Sequence, residues 1–339
     1  MATASFADLR RAFPRPQTRI TLSVLAGRED LVAGLASHDD VCVDSSALGL
    51  PGFARAIRDV RAAGFDLAVL FTNSLRTALV VGLAGVPLRV GLRKGGQEAL
   101  LTHVVDAPID PATLGWRPRP MSEIYADLCV ACGAQPGDGR PRLAVPNDCE
   151  EKAAQRRREL GIAPGERLIG LAPGAAFGSS KVWPPAELAR LADLLSRRKG
   201  LRSILLAGPG EEAIARDVVS RMQTTVIDTS AQPLGLGLLK PFVRDLALLV
   251  TMDSGPRHFA AAFDVPAVVV MGPTDPRWTA SNLEHAEVVR HDVPCGPCQL
   301  PVCPLDHRCM TQIRAEEVLE HVEALESRLA LSARSRRSP

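Results

Sequence analysis

No stretch of the 339-residue sequence approaches the roughly 18 to 20 consecutive apolar residues that a bilayer crossing needs; the nearest are short runs such as residues 268–271. A membrane-spanning helix is therefore excluded. Charge of one sign is equally lacking, since 40 Lys and Arg against 38 Asp and Glu leave a net +2. That balance excludes a nucleic-acid coat or a polybasic membrane binder for the chain as a whole, and any charge-driven binding must be local. Cysteine is scarce for the length: eight residues are far too few for a disulfide scaffold. The opening Met1-Ala-Thr-Ala-Ser-Phe-Ala-Asp-Leu-Arg-Arg has neither the basic start with an apolar core nor the small-residue cleavage site of a secretion signal. A cytoplasmic protein is the expectation. No internal repeat of solenoid period is visible.

What is present is a globular composition. Hydrophobic residues make up 46% and charged residues 23%, which excludes disorder over most of the length and a collagen-like or coiled-coil build. At about 150 residues per domain, the length argues for two domains sharing a cleft. From Arg19 to Val145, short β-branched runs (residues 20–25 and 66–71) alternate with longer amphipathic ones such as 75–84. A charged stretch bounded by Pro and Gly, with a solvated helix over 150–160, then reads as a linker. A second alternating set follows: strand 168–172, helix 185–198, strand 203–207, helix 211–222, the segment 238–248, strand 249–252, helix 255–263 and strand 267–271. Strands that are apolar without alternation suit a parallel sheet covered on both faces. The expected architecture is α/β, with doubly wound domains over 1–147 and 166–331, a linker over 148–165, and a basic disordered tail over 332–339.

Three turns carry chemistry. Thr251-Met-Asp-Ser-Gly-Pro-Arg-His258 runs from a buried strand into an apolar helix. Ser254 is a good N-cap, Pro256 is tolerated in a first turn, and Gly255 admits a close ligand. Bare amides and the positive end of the helix dipole there make an anion site that a pyrophosphate fits. Asp253 is placed for sugar hydroxyls, since it would repel phosphate, and His258 can donate to the anion. An ordinary capped helix with a satisfied histidine is the bland alternative. The second turn, Leu171-Ala-Pro-Gly-Ala-Ala-Phe-Gly-Ser-Ser-Lys-Val-Trp-Pro184, holds Pro173, Gly174 and one cation, Lys181. An ammonium there suits charge building on a departing diphosphate, although a solvated surface lysine has the same pattern. In the third, Ala207-Gly-Pro-Gly-Glu-Glu212, either Glu211 or Glu212 could hold sugar hydroxyls or merely favour a helix start.

With Met271-Gly-Pro-Thr-Asp-Pro-Arg-Trp278, these segments resemble glycosyltransferase family nine, the ADP-heptose:lipopolysaccharide heptosyltransferases, and most of all the heptosyltransferase II type. Asn73-Ser-Leu-Arg-Thr-Ala-Leu79 and Ala84-Gly-Val-Pro-Leu-Arg-Val-Gly-Leu-Arg93 are similar to the same family, and the resemblance covers nearly the whole chain. It implies a GT-B fold and inverting transfer of heptose from ADP-heptose to the lipopolysaccharide inner core, with no divalent metal or other cofactor. It implies further that Lys181 stabilises the diphosphate, that Pro173, Gly174, Glu212, Ser254, Gly255 and His258 bind the donor, and that Asp253 holds its sugar. Arg76, Arg89, Arg93 and Lys94 offer a positive face for an acceptor bearing phosphates and carboxylates, or a solvated basic loop. The implied partners are a nucleotide sugar and a lipid-linked oligosaccharide met at the inner-membrane surface; no nucleic acid is expected, and the expected state is a monomer. A relative that binds nucleotide sugar with impaired catalysis, or one using another donor sugar, is the alternative.

Family members open with a strand, a Gly-rich turn and a Gly-Asp pair ahead of a segment much like residues 1–14. The aspartate resembling the family's general base and the first strand are both absent here. The expectation is a reading frame that starts upstream, with a genuine short form as its rival; Asp8 should lie farther along the first helix, and proximity in sequence alone does not make it the base. Finally, Cys295, Cys298, Cys303 and Cys309 crowd together with His307. A structural tetrahedral zinc is one reading and paired or free thiols the other. Cys129 and Cys132 sit in an apolar helical pattern and read as core.

Overall fold

The computed structural model describes residues 1–94, 96–110 and 115–335, with side chains described as far as 331. It divides into two compact units, Met1–Arg142 with Arg277–Ser281, and Leu143–Pro276 with the chain from Asn282 onward.

The first unit contains α1 (Thr3–Ala12), β1 (Thr21–Leu25), α2 (Glu29–Val32), β2 (Asp40–Asp44), α3 (Gly49–Ala63), β3 (Leu67–Leu70), α4 (Leu75–Ala84), β4 (Leu88–Leu92), β5 (His103–Val105) and α5 (Met121–Ala131). The second contains α6 (Asn147–Glu159), β6 (Ile169–Ala172), α7 (Pro185–Lys199), β7 (Ser203–Leu205), α8 (Glu212–Arg221), β8 (Val226–Asp228), α9 (Leu236–Arg244), β9 (Leu248–Met252), α10 (Gly255–Ala262), β10 (Ala267–Val270), β11 (Ala286–Val289), α11 (Arg308–Thr311) and α12 (Ala315–Ser335).

The second unit is a six-stranded parallel sheet in the order β11-β10-β9-β6-β7-β8. Every residue of β6, β9 and β10 is buried, as expected where helices cover both faces. Crowding at the centre leaves no room for a side chain at Gly170, whose added Cβ would lie 2.4 Å from Leu246. Helix α7 starts at Pro185, whose missing N–H costs nothing there, and stops at Gly200 in the left-handed region. It buries Leu188, Leu191, Ala192 and Leu195 at helical spacing, and each leucine is worth about 2 kcal/mol over exposure. Val318, Val322 and Leu325 of α12 join the same core.

The domain boundary differs from the expectation. Helix α6 is no linker: Arg157 donates to Pro241 O (3.2 Å) and Asp245 (3.0 Å), its guanidinium lies 4.6 Å over Phe242, and Glu150 pairs with Arg244. These contacts fasten α6 to α9, and the unit begins at Leu143. The tail differs too, because α12 continues through Ser335; residues 336–339 of the expected disordered tail lie outside the described residues.

The sheet of the first unit is in two pieces, β1-β2 and β3-β4-β5, each parallel. Its elements follow the same succession as those of the second unit from α7 onward, with β1 and β3 in the places of β7 and β9. The central place, held in the second unit by β6, carries no strand among the described residues. Ile20, beside β1, and Val69 and Phe71, on β3 and just after it, all pack on the cluster of Leu9, Cys129 and Ala134. Leu25, Val41 and Val43 are 50%, 37% and 47% exposed, unusual for a parallel sheet.

Candidate functional site

Strand order in the second unit reverses direction between β6 and β9: the chain leaves β6 toward β7 on one side and leaves β9 toward β10 on the other. At such a switch point the following loops diverge and open a crevice beyond the carboxyl ends of the strands. Here those loops are residues 173–182 after β6 and 253–254 after β9. The turns starting at Gly208 and Gly272 follow the neighbouring strands.

The electrostatic centre of the crevice is Asp253. Its Oδ2 accepts hydrogen bonds from Lys181 Nζ at 2.8 Å and Thr274 Oγ1 at 2.9 Å, and its Oδ1 accepts one from Arg257 Nη1 at 2.8 Å. Lys181 Nζ also donates to the Asp253 carbonyl at 2.8 Å and lies 4.9 Å from the Phe177 ring centre. Burial alone would raise the Asp253 pKa, but the bonds and charges of Lys181 and Arg257 hold it at about 2 against an ordinary 3.8. Lys181 is thus no solvated surface lysine. The Asp253 carboxylate, expected to hold sugar hydroxyls, is here engaged by two cations and a hydroxyl. Arg257 and Thr274 are members of this cluster that the sequence alone does not single out. The first was detectable as the i+4 neighbour of Asp253; the second lies 21 residues away.

Ser254 takes an extended N-cap conformation (φ −143°, ψ −177°), but its side chain caps nothing, its Oγ lying 3.3 Å from Thr251 Oγ1. The start of α10 thus carries no side-chain cap bond, and Pro256 in its first turn has no N–H to give. Gly255 is exposed, and an added Cβ there would meet nothing within 4 Å. Half-buried His258 is shifted down chiefly by burial and is neutral at pH 7. The arrangement, a helix start flanked by two cations that one carboxylate neutralises in part, is chemically suited to an anion.

Pro173 and Gly174 are buried at the end of β6. The Glu211 carboxylate occupies the space a side chain at Gly174 would need, with Cδ 2.0 Å from an added Cβ, and Oε2 accepts from Gly208 N–H at 2.8 Å. Glu212, expected to touch the donor, is exposed and accepts from Gly210 N–H at 3.0 Å. Of the two acids, Glu211 is the one that the structure brings to the Pro173-Gly174 loop.

In the first unit the structure separates the expected basic residues. Arg89, second in β4, turns to main-chain carbonyls, Leu100 O at 2.6 Å and Val86 O, which is a structural use near the amino end of the strand. Arg93 follows the carboxyl end of β4 and pairs with Asp106 at 2.6 Å, so this face is less positive than the sequence implies. Lys94 lies 4.3 Å from the Trp116 ring centre, and Arg76 is exposed in the first turn of α4. Asp8 is buried against Arg11 at 2.6 Å.

Cys295, Cys298, Cys303 and Cys309 line one small pocket with His307. All four are free thiols, and among the described residues no group of three or more His, Cys, Asp or Glu is placed to hold a metal ion. The structural zinc expectation is corrected accordingly: Cys295 is exposed, while Cys309 is buried with its sulfur against Gly272. Burial pushes the Cys129 thiol up to about 12 and that of Cys132 to about 11, as expected for inert core thiols.

Residues 53–308 match the profile of glycosyltransferase family 9 (heptosyltransferase). The chain belongs to glycosyltransferase family 9. Lipooligosaccharide heptosyltransferase 2 of Campylobacter jejuni is 31% identical over 170 residues, covering 49% of this chain and 53% of that protein. Lipopolysaccharide heptosyltransferase 2 of Escherichia coli strain K12 is 27% identical over 279 residues, 77% and 75% of the two chains. The chain spans about half the length of the Campylobacter relatives it matches. Among solved structures, E. coli ADP-heptose lps heptosyltransferase II superposes with a TM-score of 0.74 at 22% identity, over 96% of this chain and 93% of the other. A glycosyl transferase family 9 structure from Veillonella parvula gives 0.77 at 21%, over 96% and 92%. The family 9 chain accordingly has the GT-B architecture of two Rossmann-like domains. No helix among its described residues is long and apolar enough to cross a membrane.

Proposed function

We propose that this family 9 chain transfers a heptosyl group from ADP-heptose to the inner core of lipopolysaccharide, with inversion at the anomeric carbon. The observation that carries the reading is the uncapped start of α10 beside the Lys181–Asp253–Arg257 cluster, at the switch point of a Rossmann-ordered sheet. The names of the similar proteins supply the sugar and the acceptor.

In this reading the donor diphosphate lies against the uncapped start of α10. The acceptor hydroxyl attacks the anomeric carbon, the carbon–oxygen bond to the β-phosphate breaks, and ADP leaves with the bonding pair. Negative charge then grows on the phosphate oxygen, and Lys181 answers it by shifting its hydrogen bonds from Asp253 toward the phosphate. Asp253 keeps both cations poised without the donor and limits how tightly they hold ground-state ADP-heptose, which favours turnover over uniform binding. Helix amides, Lys181 and Arg257 together neutralise the leaving group without a divalent ion. Arg93, with Arg76 and Lys94, is proposed to meet the charged acceptor, whose lipid end brings the reaction to a membrane surface. The proton of the attacking hydroxyl passes to solvent water as the new glycosidic bond forms.

The test is ADP release from ADP-heptose in the presence of a deacylated core acceptor, with and without a chelator. Acceptor-dependent release that survives chelation supports the reading. Tight donor binding with no ADP release selects the alternative, a nucleotide-sugar-binding relative with impaired catalysis.

A further inference from the structure

Lys181 is held in place from behind by a segment to which the phosphate chemistry gives no role. Ser180, its predecessor, is 1% exposed, and all three of its polar groups are bound by residues 300–307. Its N–H donates to Pro301 O at 3.1 Å, its Oγ donates to Leu300 O at 2.6 Å, and its carbonyl oxygen lies 2.6 Å from His307 Nε2. A carbonyl only accepts, so Nε2 carries the hydrogen and the tautomer is set. Two residues before Ser180, Gly178 has φ +148°, and an added Cβ would lie 2.2 Å from Pro301 O. The fit between the two segments therefore leaves no slack.

The same segment also grips the other side of the cluster. Gln299 N–H donates to Pro273 O at 2.9 Å, and Met310 and Cys309 press on Gly272. Thr274, next in that turn, donates to Asp253. His307 and Gln299 both adopt left-handed backbone, φ 59° and 55°, a conformation uncommon for residues other than glycine and concentrated at clamps.

We propose that His307 is a positioning residue for Lys181. By donating to the Ser180 carbonyl it fixes the peptide plane between Ser180 and Lys181, and thereby the root of the lysine side chain. The proposal rests on the heptosyl-transfer reading of the site. His307 acts only through Ser180. Without its donor, a buried carbonyl has no partner and the peptide turns to find one. Asp253 still holds the ammonium in the resting enzyme, so donor binding is kept while alignment with the developing phosphate charge is lost.

The experiment compares wild type, His307→Ala and His307→Gln in the ADP-release assay, with hydrogen–deuterium exchange over residues 178–182. His307→Ala is expected to lose roughly 10- to 100-fold in kcat, the scale of a displacement of about 1 Å. Its donor KM should stay within about twofold, and exchange at the Ser180 and Lys181 amides should rise. Glutamine keeps an N–H donor on a side chain of similar reach and should restore both kcat and protection. An alanine variant with unchanged kcat and exchange overturns the proposal, as does one whose donor KM rises as much as its kcat falls. Should wild type release no ADP, the transfer reading fails; the exchange measurement then still decides whether His307 holds the loop.

Discussion

Replacing Lys181 with Met, which keeps the aliphatic length and removes the ammonium, tests the charge cluster on stability and turnover at once. Asp253 is held at about 2 instead of 3.8, and at about 1.4 kcal/mol per factor of ten this depression corresponds to about 2.5 kcal/mol of folding free energy. Lys181 accounts for the larger share, since its hydrogen bond and its charge both precede Arg257 among the lowering causes. The variant should therefore lose about 1–2 kcal/mol near pH 6. The sign in pH is fixed. A carboxylate whose folded pKa lies below its unfolded one contributes stability that is complete above about 3.8 and disappears as pH falls toward 2. Urea midpoints of wild type and Lys181→Met should accordingly differ by a constant amount from pH 7 to pH 5 and converge below pH 4. In the ADP-release assay the same variant should lose more in kcat than in donor affinity, because the ammonium is needed most when phosphate charge develops. A stability gap that persists unchanged at pH 3 would refute the electrostatic account of Asp253, and undiminished kcat would remove Lys181 from the chemistry.

Gly255→Asp places a carboxylate in open space at the positive end of α10: the helix should gain about 0.3–1 kcal/mol while ADP binding is abolished, as read by calorimetry and melting. Arg89→Ala leaves buried carbonyls short of a donor and should cost about 1–2 kcal/mol in a urea melt with acceptor KM unchanged. Arg93→Ala, by contrast, should raise acceptor KM with little change in the melt.

Much of the second unit was legible because its strands are short apolar runs without alternation and its helices are bounded by Pro, Gly and polar residues. The start of α10, the loop holding Lys181 and the strands β6, β7, β9 and β10 all fall close to where periodicity and turn chemistry put them. What escaped has physical causes. Helix α6 reads as a solvated linker because charge dominates its sequence, and only its folded contacts show Arg157 and Glu150 turned toward α9. Strands β8 and β11 are three and four residues long and end or begin in polar company, too short for a periodic signal. Asp253 looked open to a sugar because its three partners reach it from separate places, one of them Thr274 in a turn after β10. Sequence spacing reveals partners on one helix face; it does not reveal partners gathered by a sheet.

The two units show what a central strand does for such a site. In the second, β6 stands between β7 and β9, both of its edges are paired, and the loop leaving it carries Lys181 to the carboxylate at the end of β9. Functional groups at a switch point come from the loops of the two central strands, and in the second unit these are the loops after β6 and β9, which bring Lys181 and Asp253 within 2.8 Å of each other. The first unit repeats the flanks of this plan, its β1-β2 and β3-β4-β5 pieces standing where β7-β8 and β9-β10-β11 stand in the second. The cluster of Lys181, Asp253 and Arg257 is therefore a product of strand order: neighbours in the sheet deliver side chains that lie 72 residues apart in the chain.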